Sequence, residues 1–406
     1  MRTLLPSAVS GPLAPYAEAF AQRLREQGYA PWTLQDKLHV VARLSGWLTE
    51  HQLPVGALNE QRVCGFLHEF HTLERRRSHG DPTTLRDLLR QLSDAGVLPQ
   101  PTVVAEEGPQ AEMLRAFRRY LFQERGLAMT TVDTYVAVAV RFLAARFGTA
   151  RVDPAALQAH DVIAFVRAEA YRLSPKAAQL MVTALRGFLR FLHQHGRIAV
   201  DLTASVPTVA DWRRSGVPKY LPTEQVETLL ASCDQRTVAG QRDYAVLLLL
   251  ARLGLRAGEV VHLRLEDIDW TEGLLRVQGK GGRWRHLPLP VDVGEAIAGY
   301  LRSGRPPCST RRVFVRLRAP HIGFAASVAI DGIVSRALTR AGLQPPLRGA
   351  HVLRHSLATT MLRRGASLVE IGQLLGHPLP QTTEIYAKVD ACALAELAQP
   401  WPGATS

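Results

Sequence analysis

Lysine is scarce in this chain. Of its 49 basic residues only Lys37, Lys176, Lys219, Lys280 and Lys388 are lysines. A guanidinium stays protonated in any protein, whereas an ammonium gives up its proton when desolvated or crowded by other cations. A lysine in so arginine-rich a sequence therefore stands out as a group able to do what arginine cannot. Cysteine is equally sparse. Cys64, Cys233, Cys308 and Cys392 lie far apart, which excludes a disulfide-framework mini-protein and offers no paired zinc ligands. A reducing, cytoplasmic compartment is the expectation. Long apolar runs are missing too. The longest, Tyr244 to Ala251, falls far short of the roughly 20 residues of a membrane span. No charged segment followed by an apolar core opens the sequence, so no secretory signal is expected.

What is present is ordinary globular composition: 406 residues, 47% hydrophobic and 21% charged, enough for two to four domains at about 100–200 residues each. The net charge is +13 and the isoelectric point is near 10.1, a balance that points to an anionic partner, nucleic acid above all. The excess is uneven. Residues 1–105 hold 11 Lys/Arg against 10 Asp/Glu, residues 106–210 hold 13 against 9, and residues 211–406 hold 25 against 17. Grip on a phosphate backbone is thus expected from the later blocks rather than the first.

Proline- and glycine-containing breaks divide the chain at Leu98-Pro99-Gln100-Pro101 and at Val206-Pro207 through Arg213-Arg214-Ser215-Gly216-Val217-Pro218. The first two blocks resemble each other. Gly28-Tyr29-Ala30 followed by Thr33-Leu34 returns 98 residues later as Gly126-Leu127-Ala128 followed by Thr131-Val132. Leu58 to Phe66 likewise matches Leu157 to Phe165 at an offset of 99. In each block a helical pattern precedes the glycine and another follows it, with apolar residues at Leu38, Val41, Leu44 and Leu48 and at Val136, Val140, Leu143 and Phe147. Two small all-α domains of one type are predicted. Arg115, Arg118, Arg119 and Arg125 on the second suit contact with a DNA backbone.

The third block reads differently. Helices are predicted over 223–230, 243–253, 330–341 and 353–364. Two strands, Leu274 to Val277 and Trp284 to Leu289, flank Gly279-Lys280-Gly281-Gly282 as a hairpin. Ser367-Leu368-Val369-Glu370 is a capping box opening a short helix that Gly376 closes, and a further short helix is expected over 382–389. The fold class is therefore mainly α with a small antiparallel sheet: two small helical domains (1–105 and 106–210), a mixed α+β domain (217–390) and a tail (391–406).

One ordered set in this block points to chemistry: Arg256 in Gly254-Leu255-Arg256-Ala257-Gly258-Glu259, Lys280 in the hairpin, His351 and Arg354 in His351-Val352-Leu353-Arg354, His377 in Leu374-Leu375-Gly376-His377-Pro378, and Tyr386. Each residue alone is commonplace. Together they read as transesterification at a phosphodiester. Two arginines can fork onto the non-bridging oxygens of one phosphate, where a pentacoordinate transition state concentrates charge. His351 is one helical turn before Arg354, so both can face one ligand. A phenol can attack phosphorus if its proton is taken or its anion stabilised. A lysine on a mobile hairpin tip suits protonation of the leaving oxygen. His377 can bond the phosphate or position the tyrosine. Tyr386 is the only tyrosine after Tyr300, which narrows the choice of nucleophile.

In the order and spacing of these motifs, residues 217–390 resemble the catalytic domain of the tyrosine recombinases, the phage integrase family, and block two resembles that family's helical core-binding domain. The resemblance implies that Arg256 and Arg354 clamp the scissile phosphate, Lys280 protonates the leaving 5′ oxygen, His351 assists proton transfer, His377 hydrogen-bonds the phosphate, Tyr386 forms a 3′-phosphotyrosyl link, and Glu259 supports the clamp. Arg283 and Arg285 beside the hairpin join the candidate DNA contacts. No metal or cofactor is implied, because the phosphotyrosyl bond conserves the energy of the broken phosphodiester. The implied partner is double-stranded DNA, held by a homotetramer on two synapsed sites, with accessory recombinases or host factors as further partners and a cytoplasmic, nucleoid-associated location. Two other readings stay open: a type IB topoisomerase-like relaxing enzyme with the same pocket, and a DNA-binding accessory protein without catalysis. The nearly neutral block one departs from the family pattern and is expected to make protein contacts or to touch DNA sparsely. The alanine- and leucine-rich stretch Ala391 to Leu397 could dock on a neighbouring subunit.

Overall fold

A computed structural model describes residues 9–74, 81–98, 109–148, 150–209, 219–279, 282–376, 383 and 386, without the side chains of residues 71–74 and 109. Lys280, His377, both interdomain breaks for the most part, and the tail 391–406 lie outside the described residues, as does most of the short helix expected over 382–389. The chain divides into two compact units, residues 1–100 with 217–406, and residues 101–216.

The first block is four helices: α1 (Ala14–Glu26), α2 (Pro31–Glu50), α3 (Glu60–Glu74) and α4 (Asp81–Asp94). The second is four more: α5 (Pro109–Arg119), running on through a wider π turn (Tyr120–Glu124), α6 (Met129–Phe147), α7 (Ala159–Arg172) and α8 (Pro175–Gln194). The internal repeat extends to detail. A 3-10 turn occupies Val55–Ala57 in one and Pro154–Ala156 in the other, the same 99-residue offset seen in the sequence. Each block closes a core of its own, around Phe20, Leu38, Leu44 and Leu88 in the first and around Phe117, Phe142, Leu185 and Phe188 in the second. Lys37 is no surface charge. It lies buried on α2 and donates to Thr84 Oγ1 of α4 at 2.8 Å.

The first block shares its unit with the third. The backbone N–H of His321 donates to the carbonyl of Gln27 at 2.8 Å, and the His321 ring lies against Gly28.

The third block opens with α9 (Thr223–Ala231), α10 (Val238–Arg252) and α11 (Ala257–His262). The run Tyr244 to Ala251 explains why α10 is central: every residue from Ala245 to Ala251 is buried, as a helix segment apolar all round requires. A three-stranded antiparallel sheet follows in the order β1 (Ile268–Asp269), β2 (Leu274–Gln278), β3 (Trp284–Pro288). Leu275 pairs with Leu287 and Val277 with Arg285, which sets the inward face. Then come α12 (Val291–Gly299), α13 (Val328–Arg340), α14 (Ala350–Arg363) and α15 (Leu368–Leu375). The capping box of α15 forms as predicted: Ser367 N–H donates to Glu370 at 2.7 Å, and Glu370 N–H donates back to Ser367 Oγ at 3.2 Å. The hairpin was legible; β1 and α12 were not among the predicted elements. No helix among the described residues is long and apolar enough to cross a membrane.

Candidate active site

The sharp turn between α10 and α11 aims the first arginine. Gly254 there has φ +59° and lies so close to α14 and α15 that a Cβ would come 2.6 Å from Leu375 Cδ2, so only glycine fits. Arg256 follows as the N-cap of α11. Its backbone N–H donates to Glu259 at 2.9 Å and its guanidinium to the other oxygen of the same carboxylate at 2.8 Å. Glu259, buried, also receives Arg285 of β3 at 2.9 Å. One carboxylate thus balances two cations that would otherwise be left uncompensated away from water.

Arg354 rises from the second turn of α14 and is 3% exposed. One arm donates to the carbonyl of Gly254 at 2.5 Å and another to that of Leu375 at 2.6 Å. The ends of all three guanidiniums meet at the C-terminus of α15, on three successive carbonyls: Arg285 on Leu374, Arg354 on Leu375, and Arg256 on Gly376 at 3.2 Å. A helix C-terminus leaves its last carbonyls unsatisfied and carries partial negative charge, so cations are favoured there. Gly376, in the left-handed conformation at φ +62°, turns the chain so that its carbonyl joins the cluster. Burial, with Arg256 close by, lowers the Arg354 pKa to about 10, which leaves it charged at neutral pH. Burial likewise lowers that of Arg285, against the opposing pull of Glu259.

Tyr386 reaches the same place from the other side. Its ring is 1% exposed and belongs to one buried apolar cluster with Ala358, Ile371 and Leu375, the last being the residue whose carbonyl Arg354 holds. Its hydroxyl shares a 2.9 Å hydrogen bond with Nδ1 of His355. Burial raises the phenol pKa, and the charges of Arg354 and Arg256 oppose that rise. His355 is pushed down to about 4, by burial first and then by His351 and Arg354, so its ring is neutral at physiological pH. His351, on the first turn of α14, is itself exposed, its ring centre 6.3 Å from that of His355.

Arg256, Arg354, Glu259, His351 and Tyr386 are therefore brought together. Lys280 and His377 fall outside the described residues, although Gly279 lies against Glu259 (a Cβ there would stand 3.9 Å from its Oε1). Arg283 is exposed beside the hairpin tip. Arg285, grouped with it in the sequence reading, instead turns inward to Glu259; its alternation with Leu287 on β3 is the signal that marks the inner face. In the second unit Arg115, Arg119 and Arg125 are exposed, while Arg118 pairs with Asp133 at 2.6 Å. His355, beside Arg354, is the partner of Tyr386 that the sequence alone did not single out. Nothing in local sequence reveals a contact made to a residue 31 positions away.

Known proteins carry the same pattern. The model of the phage integrase family matches residues 219–392, and that of the phage integrase N-terminal SAM-like domain matches residues 114–196. An integrase/recombinase of Sinorhizobium fredii, y4rA, is 43% identical over 97% of this chain and 95% of its own length. The chain belongs to the phage integrase family, the tyrosine recombinases. Tyrosine recombinase XerD of Listeria monocytogenes is 30% identical over 70% of this recombinase and 97% of its own length. The XerH site-specific recombinase, solved bound to its difH substrate after cleavage, shares the fold at a TM-score of 0.56 and 20% identity, covering 71% of this recombinase and 84% of that chain. The recombinase is accordingly an enzyme of DNA cleavage and rejoining, of the site-specific class. The two family models leave residues 1–113 unmatched, whereas y4rA runs through nearly the whole chain.

Proposed function

We propose that this recombinase exchanges DNA strands through a phosphotyrosyl intermediate formed at Tyr386. The Tyr386 oxygen attacks the scissile phosphorus, the phosphorus–O5′ bond breaks, and a 3′-phosphotyrosyl link forms. The phenol passes its proton to solvent with the help of His351, and the leaving 5′ oxygen gains one from Lys280. Rejoining runs the same steps backward with a 5′ hydroxyl as nucleophile. Arg256 and Arg354 fork onto the non-bridging oxygens, His351 assists proton transfer, His377 bonds the phosphate, and Glu259 keeps Arg256 and Arg285 aimed. Preorganised cations of this kind stabilise the transition state most, because charge grows on those oxygens as the bond forms.

The observation that carries this reading is the convergence of Arg256 and Arg354 on the neighbouring carbonyls of Gly376 and Leu375, with Tyr386 in the same buried cluster as Leu375. Two guanidiniums that reach adjacent carbonyls can reach two oxygens of one phosphate. The partner is double-stranded DNA, and the working assembly is a homotetramer on two synapsed sites in the cytoplasm, at the nucleoid. The exposed arginines of α5 and the turn after it grip backbone, and residues 1–105 make protein contacts within the assembly.

The test is a nicked duplex, selected from a random pool for binding to the full-length protein. The protein should become covalently attached to DNA at Tyr386, and intact duplexes should yield products with exchanged flanks. Relaxed circles without exchange would turn the reading to a relaxing enzyme; binding without any adduct would reduce it to an accessory protein.

A further inference from the structure

We propose that His355 is a positioning residue of the reaction, the group that fixes where the Tyr386 hydroxyl points; this deepens the reading of Tyr386 as nucleophile and rests on it. Burial in an apolar cluster with Ala358, Ile371 and Leu375 seats the ring carbons but does not by itself direct the oxygen. His355 Nδ1, 2.9 Å from that oxygen, does. The two rings are tilted by 58° with centres 5.6 Å apart, so they meet through this hydrogen bond and not as a stack. His355 follows Arg354 directly on α14, and Arg354 grips the carbonyl of Leu375, a member of the cluster that holds the tyrosine ring. The imidazole therefore ties the nucleophile to the same short stretch of helix that carries half of the phosphate clamp.

The chemistry of the pair argues for holding rather than deprotonating. A partly buried imidazole pressed by His351 and Arg354 stays neutral at working pH, and the phenol pKa is raised, not lowered. A neutral ring can share a hydrogen bond with the phenol, but one so weakly basic takes its proton poorly. His355 thus keeps the hydroxyl protonated and aligned until a phosphate seated between the guanidiniums changes the local charge. Misplacing a reacting atom by about 1 Å costs on the order of 10²-fold in rate, so a group with this task is visible kinetically.

Substitution separates a holder from a base and from a mere packing residue. In asparagine the amide oxygen stands near the place of Nδ1 and accepts a hydrogen bond, but it never takes a proton. Glutamine carries its amide near the place of Nε2 and misses the tyrosine. Phenylalanine keeps the ring and loses the bond. Adduct formation is measured in single turnover on the selected nicked duplexes, with DNA affinity measured alongside. His355→Phe and His355→Gln should slow the adduct by roughly 10–100-fold at unchanged affinity, and His355→Asn should restore it to within about threefold. A Phe variant as fast as the wild type would overturn the inference. So would an Asn variant as slow as Phe, which would mean that the imidazole must take the proton. If the Phe variant does not fold, the Asn and Gln pair decides alone. Tyr386→Phe, run in parallel, keeps the two claims apart: an adduct surviving there sinks the nucleophile assignment itself, whatever His355 does.

Discussion

This recombinase uses arginine in two ways, and the contrast between them organises the molecule. In the second unit Arg115, Arg119 and Arg125 lie in solvent, and Arg118 pairs at the surface with Asp133. In the catalytic block Arg354 is 3% exposed, Arg285 is mostly buried, and both interlock with Arg256, Glu259 and the end of α15. Exposed arginines exchange bound counterions for phosphates and act additively through salt. Buried ones are preorganised and act at one place, where each removal leaves another charge or carbonyl unmatched. Affinity should therefore reside largely in the first kind and rate in the second.

The largest effect expected within this contrast is at Tyr386, the proposed nucleophile. Tyr386→Phe should abolish the covalent adduct in a nicked-duplex assay and leave DNA affinity within about 1 kcal/mol, the ordinary worth of one hydroxyl. Arg354→Lys comes next. It keeps the charge but not a fork that holds Gly254 and Leu375 together, and should slow single-turnover cleavage by about 10²–10³-fold while binding changes little. Equal loss of binding and rate would break the division of labour. Glu259→Gln strips two arginines of their shared counter-charge and should cost about 3–5 kcal/mol of stability, read as a lower urea midpoint.

A smaller effect concerns acid. His355 titrates near 4 in the folded chain against an ordinary 6.5, so the unfolded chain binds its proton first as pH falls. The stability this contributes is complete above about pH 6.5 and drains between pH 6.5 and 4. It amounts to roughly 2–3 kcal/mol after allowance for partial access of solvent. Urea titrations across that window should slope for the wild type and flatten for His355→Asn. Smallest of all, Arg115→Ala should leave the cleavage rate of bound DNA unchanged, weaken binding by under about 1 kcal/mol, and reduce the salt slope by about one.

Much of this was readable in the sequence because the chemistry restricts it. A phosphate clamp needs arginines where turns can aim them, and Gly254-Leu255-Arg256 and Leu374-Leu375-Gly376 advertise such turns through their glycines. The likeness of the two helical blocks was readable too, since the Gly28 turn and the apolar stripe after it return at offsets of 98 and 99 residues. Long-range company was less legible. That residues 1–100 form one compact unit with residues 217–406 depends on contacts such as that of His321 with Gln27, which no local pattern encodes. The inward turn of Arg285 needed only the alternation of β3, but charge drew attention to the surface first. The partnership of His355 with Tyr386 required the chain to return across α15.

The end of α15 has a last consequence. Its three carbonyls keep the guanidiniums aimed while DNA is absent, so little ordering of long side chains remains to be done when a phosphate arrives. Leu375 has a tie to each side: Arg354 holds its backbone carbonyl, and its side chain shares a buried cluster with Tyr386. A displacement of this short helix would therefore disturb the guanidinium cluster and the seat of the phenol together.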